Sequence, residues 1–348
     1  MGMVTAVGGS AAQTASSVRA GISRYEESSI YNSRFSPMTL ALFPDDLLPP
    51  LDAGLADTLG LTSRQIRMLR LAGAAVEDLA PTPEQRGPLF LAGPEPLPGL
   101  REERPAPMSE SFLDHLAVQT QWEFDRDSSR VFPTGRAAGM QALAAALETL
   151  EQGTSDYVFV GGVDTYLDLY LLGTLDMEGR VLAEGVMDGF CPGEGAAFLL
   201  LASQDGLERG GLDPIAFVAP PGIGQEPGHR YSEEPYQGDG LAQVVALALG
   251  QANVGSISSV LCSQNGENFG TKEWGVTYLR NSTAFIDDFR FEHPAEYFGD
   301  VGGCFGPALV GLAAVGVKEG YLPGPCLVCC SSEEELRGAC VVTPDPKS

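Results

Sequence analysis

Apolar residues between Thr62 and Leu79 recur at helical spacing, with Ile66, Leu69, Leu71, Ala74 and Leu79 on one stripe and Thr62 and Ser63 as candidate caps, which predicts an amphipathic helix. A second, shorter helix is expected over Ser16 to Ile22, and a third over Ser109 to Gln121. The short run Leu89-Phe90-Leu91-Ala92-Gly93 reads as a strand, followed by a proline-rich loop to about Met108. From Arg130 onward the pattern sharpens. Val131 to Gly135 is extended by composition, and Arg136 to Glu151 is rich in Ala, Leu, Met and Glu, which predicts a helix stopping at Gly153. Asp156 to Gly162 is a buried strand by its apolar content, Asp188 to Gly195 a glycine-rich turn, and Ala196 to Leu201 another strand. The same alternation returns with a helix over Gly240 to Ala252, a strand over Ser256 to Cys262, a polar loop through Gly270, a helix over Val301 to Gly316 and a strand over Cys326 to Cys330. Strands alternating with helices predict an α/β fold with mostly buried sheets. Two comparable halves are expected, 1–205 and 206–348, with a boundary near Ala202 to Asp213 and an inserted region at about 94–130 in the first.

Composition narrows the function classes. With 21 Lys plus Arg against 46 Asp plus Glu the net charge is −25, and only Lys272, Lys318 and Lys347 are lysines. Nucleic acid and anionic membrane surfaces are poor partners for such a surface. No apolar run reaches the roughly 18 residues needed to span a bilayer, and Met1-Gly2-Met3-Val4 does not open a secretory signal. A cytoplasmic protein is expected. The seven cysteines, mostly within apolar runs, fit buried reduced thiols better than a disulfide framework.

The segment Arg130 to Gly195 resembles the ketosynthase branch of the thiolase superfamily, the β-ketoacyl synthases. The resemblance rests on a helix after an extended segment, then Gly153-Thr154-Ser155-Asp156 leading into Val158-Phe159-Val160-Gly161-Gly162-Val163, then Asp188-Gly189-Phe190 with Gly193-Glu194-Gly195-Ala196. It continues through Gly299 to Gly306, and the helix near Arg67 sits where the family has one. It implies two similar halves in a five-layered αβαβα sandwich, a dimer formed through the strand before the nucleophile helix (here Arg130 to Thr134), and chemistry on thioester-bound acyl groups.

Family members use a cysteine at the start of the helix that here begins near Arg136, where the helix N-terminus lowers the thiol pKa, and two histidines that polarise the thioester carbonyl. Aligned on Gly153, Asp156 and Gly161-Gly162, the cysteine position falls on Arg136, or on Gly135 if the register slips by one. The first histidine position falls on Asn265 and the second on Asp300; the family lysine falls near Ala295, and the glycine-phenylalanine loop is replaced by Ser331-Ser332-Glu333-Glu334-Glu335. An arginine stays protonated and cannot act as a nucleophile. Arg136 and Asp300 are expected to pair across the former pocket.

Candidate replacements are Cys304, Cys191 and Thr134, each expected more often to be structural. His115, His229 and His293 are scattered and read as surface or satisfied positions, His293 being nearest in sequence to Asp300. The Cys326-x-x-Cys329-Cys330 spacing lacks a second pair, so no metal is expected, and no cofactor is implied. Gly189 to Gly195 lacks the residues of a phosphate loop. The runs Glu26-Glu27 and Glu333-Glu334-Glu335 are expected to be solvated surface.

The leading expectation is therefore a catalytically inactive ketosynthase-like protein, a homodimer acting as an adaptor, a chaperone or a binding subunit. Its partner would be a protein with a basic or apolar surface, for instance a secretion-system or biosynthetic component. The alternatives are an acyltransferase with a rebuilt site and the non-catalytic partner of an active ketosynthase. Acidic acyl carriers dock on basic patches in this family, and a charge of −25 suits them poorly.

Overall fold

The computed structural model describes residues 1–97 and 107–344; residues 98–106 of the expected proline-rich loop, and Lys347, lie outside the described residues. The first sheet begins with β1 (Gly2–Thr5), fully buried. Helix α1 (Ala11–Arg19) starts five residues before the expected Ser16, because the Ser10 hydroxyl caps it by accepting from the Gln13 amide. A hairpin of β2 (Glu26–Tyr31) and β3 (Pro37–Leu40) follows, unforeseen in the sequence. Helix α2 (Ser63–Leu79) is closed by the expected Thr62 in a reciprocal capping box with Gln65. Its buried face is Met68, Leu69, Leu71, Ala72, Ala75 and Val76, whereas Ile66, Ala74 and Leu79 of the expected stripe are half-buried.

Next come β4 (Leu89–Ala92), α3 (Ser111–Thr120), β5 (Arg130–Phe132), α4 (Ala138–Glu151), β6 (Tyr157–Thr165), α5 (Leu169–Met177) and β7 (Glu194–Ala202). The sheet runs β1-β7-β6-β4-β5: β5, β4 and β6 are parallel, and β7 and β1 continue antiparallel.

The rest of the chain comprises α6 (Gln204–Gly210), β8 (Phe217–Val218), β9 (Gly222–Gln225), α7 (Asp239–Ala252), β10 (Ile257–Cys262), α8 (Asn268–Asn281), β11 (Phe285–Glu292), α9 (Ala295–Phe298), α10 (Phe305–Lys318), β12 (Cys326–Ser331) and β13 (Leu336–Thr343). The second sheet repeats the first arrangement in the order β11-β10-β12-β13-β8. Its β11, β10 and β12 are parallel, and β13, with β8 and β9 beside it, is antiparallel.

A helix enters the central layer just before the third parallel strand in each set: α4 before β6, and α10 before β12. These two helices share one core between the inner faces of both sheets, built from Met140, Leu143, Leu199, Phe305, Leu309, Val328 and their neighbours. Outside the first sheet lie α2 and α3, around Met68, Phe112, Phe159 and Phe198. Outside the second lie α7, packed through Val244 and Val245, and the aromatic face of α8. The result is the five-layered αβαβα arrangement of the thiolase fold. Where α4 and α10 cross, Gly139 and Gly306 let the backbones meet: a Cβ on Gly306 would lie 2.6 Å from the Gly139 Cα. Among the described residues no helix is long and apolar enough to cross a membrane.

Candidate functional site

Two matching turns open the central helices. Thr134-Gly135-Arg136-Ala137 and Val301-Gly302-Gly303-Cys304 each pass through a short 3₁₀ turn into α4 or α10, and both Gly135 and Gly302 have positive φ, +76° and +48°. The expected helices over Arg136 and Val301 therefore begin with a tight turn. Arg136 projects from the first turn and Asp300 immediately precedes the second, and both are buried.

The structure brings Arg136 and Asp300 together. The Arg136 Nε donates to Asp300 Oδ2 at 2.8 Å, and Nη2 reaches the same oxygen. Asn265, after β10, donates its Nδ2 to that oxygen at 2.8 Å, and the Gly302 amide donates to Oδ1 at 2.9 Å. Arg136, Asn265 and Asp300, the three residues expected at the family's catalytic positions, thus form one hydrogen-bonded unit. The Tyr166 hydroxyl lies 3.4 Å from Asp300 Oδ1.

Glu333 departs from expectation: it is not solvated surface but 6% exposed, while Glu26 and Glu27 are exposed. Its Oε1 lies 2.7 Å from the Arg136 Nη2 and accepts from the Arg180 Nη2 at 2.8 Å, and its Oε2 lies 3.0 Å from the Arg230 Nε. Arg180 also grips Glu267 with two bonds of 2.7 and 2.8 Å, and Arg230 lies 3.1 Å from Glu267. Burial works against ionisation of Glu333, but the guanidinium groups of Arg136, Arg180 and Arg230 outweigh it and hold the carboxyl well below the usual range. Arg180 also lies 3.4 Å from Glu178, so the three arginines face four carboxylates, Asp300, Glu267, Glu333 and the partly exposed Glu178.

Glu95, buried beside Gly135, accepts the amides of Glu333 and Glu334 at 2.7 and 3.2 Å. Burial, and then the charge of Glu333, push its carboxyl up to about 8, against the pull of those amides and Arg136. The folded chain therefore holds a proton that the unfolded chain has released above an ordinary carboxyl pKa of about 4.5, so stability falls as pH rises from 4.5 through 8. Glu95→Gln cannot titrate and gives up the longer amide bond. Relative to wild type it is expected to gain about 4 kcal/mol between pH 5 and pH 9. Urea titrations across that range check this, and parallel pH profiles would refute it.

A cavity of about 450 Å³ opens over Gly135, Arg136 and Gly302, walled by Pro94, Leu97, Tyr166, Tyr170 and Leu171. On the Asn265 side of the cluster only about 40 Å³ is free. Arg136 and Glu333 line both spaces and stand between them.

The remaining candidates contribute no side-chain bond to this unit, although the Cys191 carbonyl accepts the Asp300 amide at 2.8 Å. Cys304 and Cys191 are buried, and desolvation pushes both thiols far above the ordinary range. The Thr134 hydroxyl donates to Gln141 Oε1 at 2.6 Å and touches no base. His115 and His229 are half-buried, and His293 sits 3.6 Å from Glu296 on the outer face. All seven cysteines are free. Cys326 and Cys329 point to opposite faces of β12, one into the central core and the other toward α7, so their spacing does not converge on one point. The Gly193-Glu194-Gly195 turn anchors a helix, since its buried Glu194 takes Arg67 of α2 in a two-pronged pair of 2.6 and 2.5 Å. Glu95, Arg180 and Tyr166 carried no signal in the sequence.

Residues 128–206 match the family "Beta-ketoacyl synthase, N-terminal domain". The whole chain superposes on solved ketosynthases. Its fold is that of the ketosynthases. One similar structure is the complex of a ketosynthase with its chain length factor from Xenorhabdus doucetiae, with 15% identity, TM-score 0.75, and 98% of this chain and 96% of that chain covered. Another is the ishigamide ketosynthase/chain length factor, at 16% identity and TM-score 0.71, covering 98% and 97%. A third is the module 6 ketosynthase of the bacillaene synthase of Bacillus subtilis 168, at 14% and 0.76, covering 99% of this chain and 71% of that one. No curated protein matches the chain in sequence. Within this fold β5, the strand before the Arg136 turn, is a sheet edge: among the described residues it pairs only with β4.

Proposed function

We propose that this ketosynthase-like chain is a non-catalytic cytoplasmic subunit that works by binding, most simply as the inactive half of a complex with a cysteine-bearing ketosynthase. The observation that carries this reading is Arg136. On the alignment, a permanently protonated guanidinium stands where the family places its thiolate; it is paired with Asp300, which also accepts from Asn265, and with Glu333. Nothing at that turn can be activated to attack a thioester. The single-stranded edge of β5 leaves main-chain groups for a partner's strand, a second copy or a related chain, and the full-length likeness to ketosynthase and chain length factor chains favours the latter. An adaptor or chaperone role uses the same surface.

The test is incubation of the purified chain with acyl-thioester donors, followed by intact mass measurement. No adduct is expected on any of the seven thiols. An adduct that disappears in Cys304→Ala or Cys191→Ala would establish the acyltransferase reading instead. Native mass spectrometry after co-expression with a ketosynthase distinguishes a mixed dimer from a homodimer.

A further inference from the structure

Helix α5 is apolar on both of its faces, a pattern that belongs to helices buried on both. Its inner face, Leu171, Leu172 and Leu175, packs into a cluster with Met38, Val181 and Phe190. Its outer face carries Leu169, Gly173 and Met177 at i, i+4 and i+8, with Tyr170 beside them. Leu169 is 72% exposed and Met177 81%, and a Cβ on Gly173 would meet nothing within 4 Å, so among the described residues nothing lies over the middle of this stripe. The stripe continues onto the β2–β3 turn. Asp176 Oδ2 accepts the Ser33 amide at 2.8 Å, which fastens that turn to the end of α5 that carries Met177, and two residues on from Ser33 the turn presents Phe35, 88% exposed. Scattered single apolar side chains are ordinary on a surface, whereas a run of large ones with a charged rim marks a site of interaction.

The rim here is acidic. Between Tyr166 and Phe190 the chain has five acids, Asp168, Asp176, Glu178, Glu184 and Asp188, and one cation, Arg180. Arg180 is buried and turned inward to Glu267 and Glu333, meeting only Glu178 among the five. Asp176 and Asp188 also accept backbone amides, of Ser33 and Asn268, which fixes their place and leaves their charge. The hairpin tip adds a single exposed cation, Arg34. We propose that the outer face of α5, with Phe35 at its end, docks a basic amphipathic helix of a partner protein. The partner's apolar side chains lie along the stripe from Leu169 to Met177, ridge against ridge, and its Lys and Arg side chains reach the acids on either side. A second copy of this chain is a poor occupant, because it brings the same acids against these, and an anionic lipid surface is repelled for the same reason. The proposal rests on the reading of the chain as a binding subunit and gives it a surface built from elements other than the β5 edge. Its test contains neither acyl donor nor ketosynthase, so the two can fail separately.

Fluorescence anisotropy of a labelled synthetic helix, leucine on one face and lysine on the other, titrated with the full chain at constant ionic strength, tests it. Wild type is expected to bind this helix and to ignore the same helix with glutamate in place of lysine, a comparison that requires no variant to fold. Met177→Ser and Leu169→Ser, both at exposed positions, should each weaken binding at least about tenfold. Leu279→Ser on α8, where the leucine is comparably exposed at 75%, should leave binding unchanged. Failure of the lysine helix to bind, equal binding of the two helices, or Met177→Ser and Leu279→Ser behaving alike would overturn the proposal, the last because it would mean general attraction to an acidic chain. Sedimentation of the free protein covers the other occupant: a wild-type dimer that Met177→Ser dissociates would assign the face to a second copy and overturn the proposal as well.

Discussion

Asp300→Ala is expected to destabilise the protein by about 3–5 kcal/mol, because it leaves the Arg136 guanidinium buried without its closest counter-charge. The substitution also takes away the carboxylate that the Gly302 amide donates to and leaves the Asn265 amide with Glu267 alone. The three arginines lose one of the carboxylates they face. Removing the guanidinium as well should repair much of this. In the double variant Asp300→Ala with Arg136→Met, an apolar chain of similar length replaces the uncompensated charge, and Glu333 keeps Arg180 and Arg230. The double variant is therefore expected to be more stable than Asp300→Ala alone, a non-additivity typical of groups in direct contact. Urea denaturation of the set measures it. A single-variant cost near zero would mean that water reaches Arg136, and a double variant weaker than the single would mean that the guanidinium does more than answer Asp300.

The legibility of this unit in the sequence was uneven for physical reasons. The stretch from Arg130 to Leu201 could be read because its elements are local. Helix α4 is dense in strong helix formers and ends at a positive-φ Gly153, and β6 is buried along its whole length. The expectation that the family's catalytic positions fall on Arg136, Asn265 and Asp300 rests on family spacing around those elements. Helix α8 escaped because Asn268 to Asn281 lies on the outer layer with only Glu273 and Thr277 fully buried, so no apolar stripe marks it. Strand β13 escaped because Arg337 interrupts its apolar run. That arginine is completely buried, with its Nε donating to Glu273 at 2.7 Å and its Nη1 to backbone carbonyls. Glu333 misleads for a related reason. Three adjacent acids ordinarily mean solvent, and nothing near them in the chain reveals that arginines 153 and 197 residues away converge on the first. Ionic clusters assembled from separate segments leave no periodic trace.

The central layer makes the sharpest demand on a single atom. Gly306→Ala is expected to destabilise the protein by at least about 2 kcal/mol, although alanine is the better helix former by up to about 1 kcal/mol. The added Cβ would lie 2.6 Å from the Gly139 Cα and 3.2 Å from the Gly139 amide nitrogen and carbonyl carbon, which are backbone and cannot rotate away. Relief must come from moving α10 against α4, and α10 is buried along nearly all its length between the two sheets. Displacement there also shifts the Gly135 and Gly302 turns that hold Arg136 against Asp300. Gly306→Val should be worse still. The same substitution on an outer helix has the opposite sign: at Gly250 of α7 a Cβ would meet nothing within 4 Å, so Gly250→Ala should stabilise by about 0.5–1 kcal/mol. Thermal and urea unfolding of the pair decide the matter, and two glycines answering with the same sign would mean that the central helices do not cross at Gly139 and Gly306.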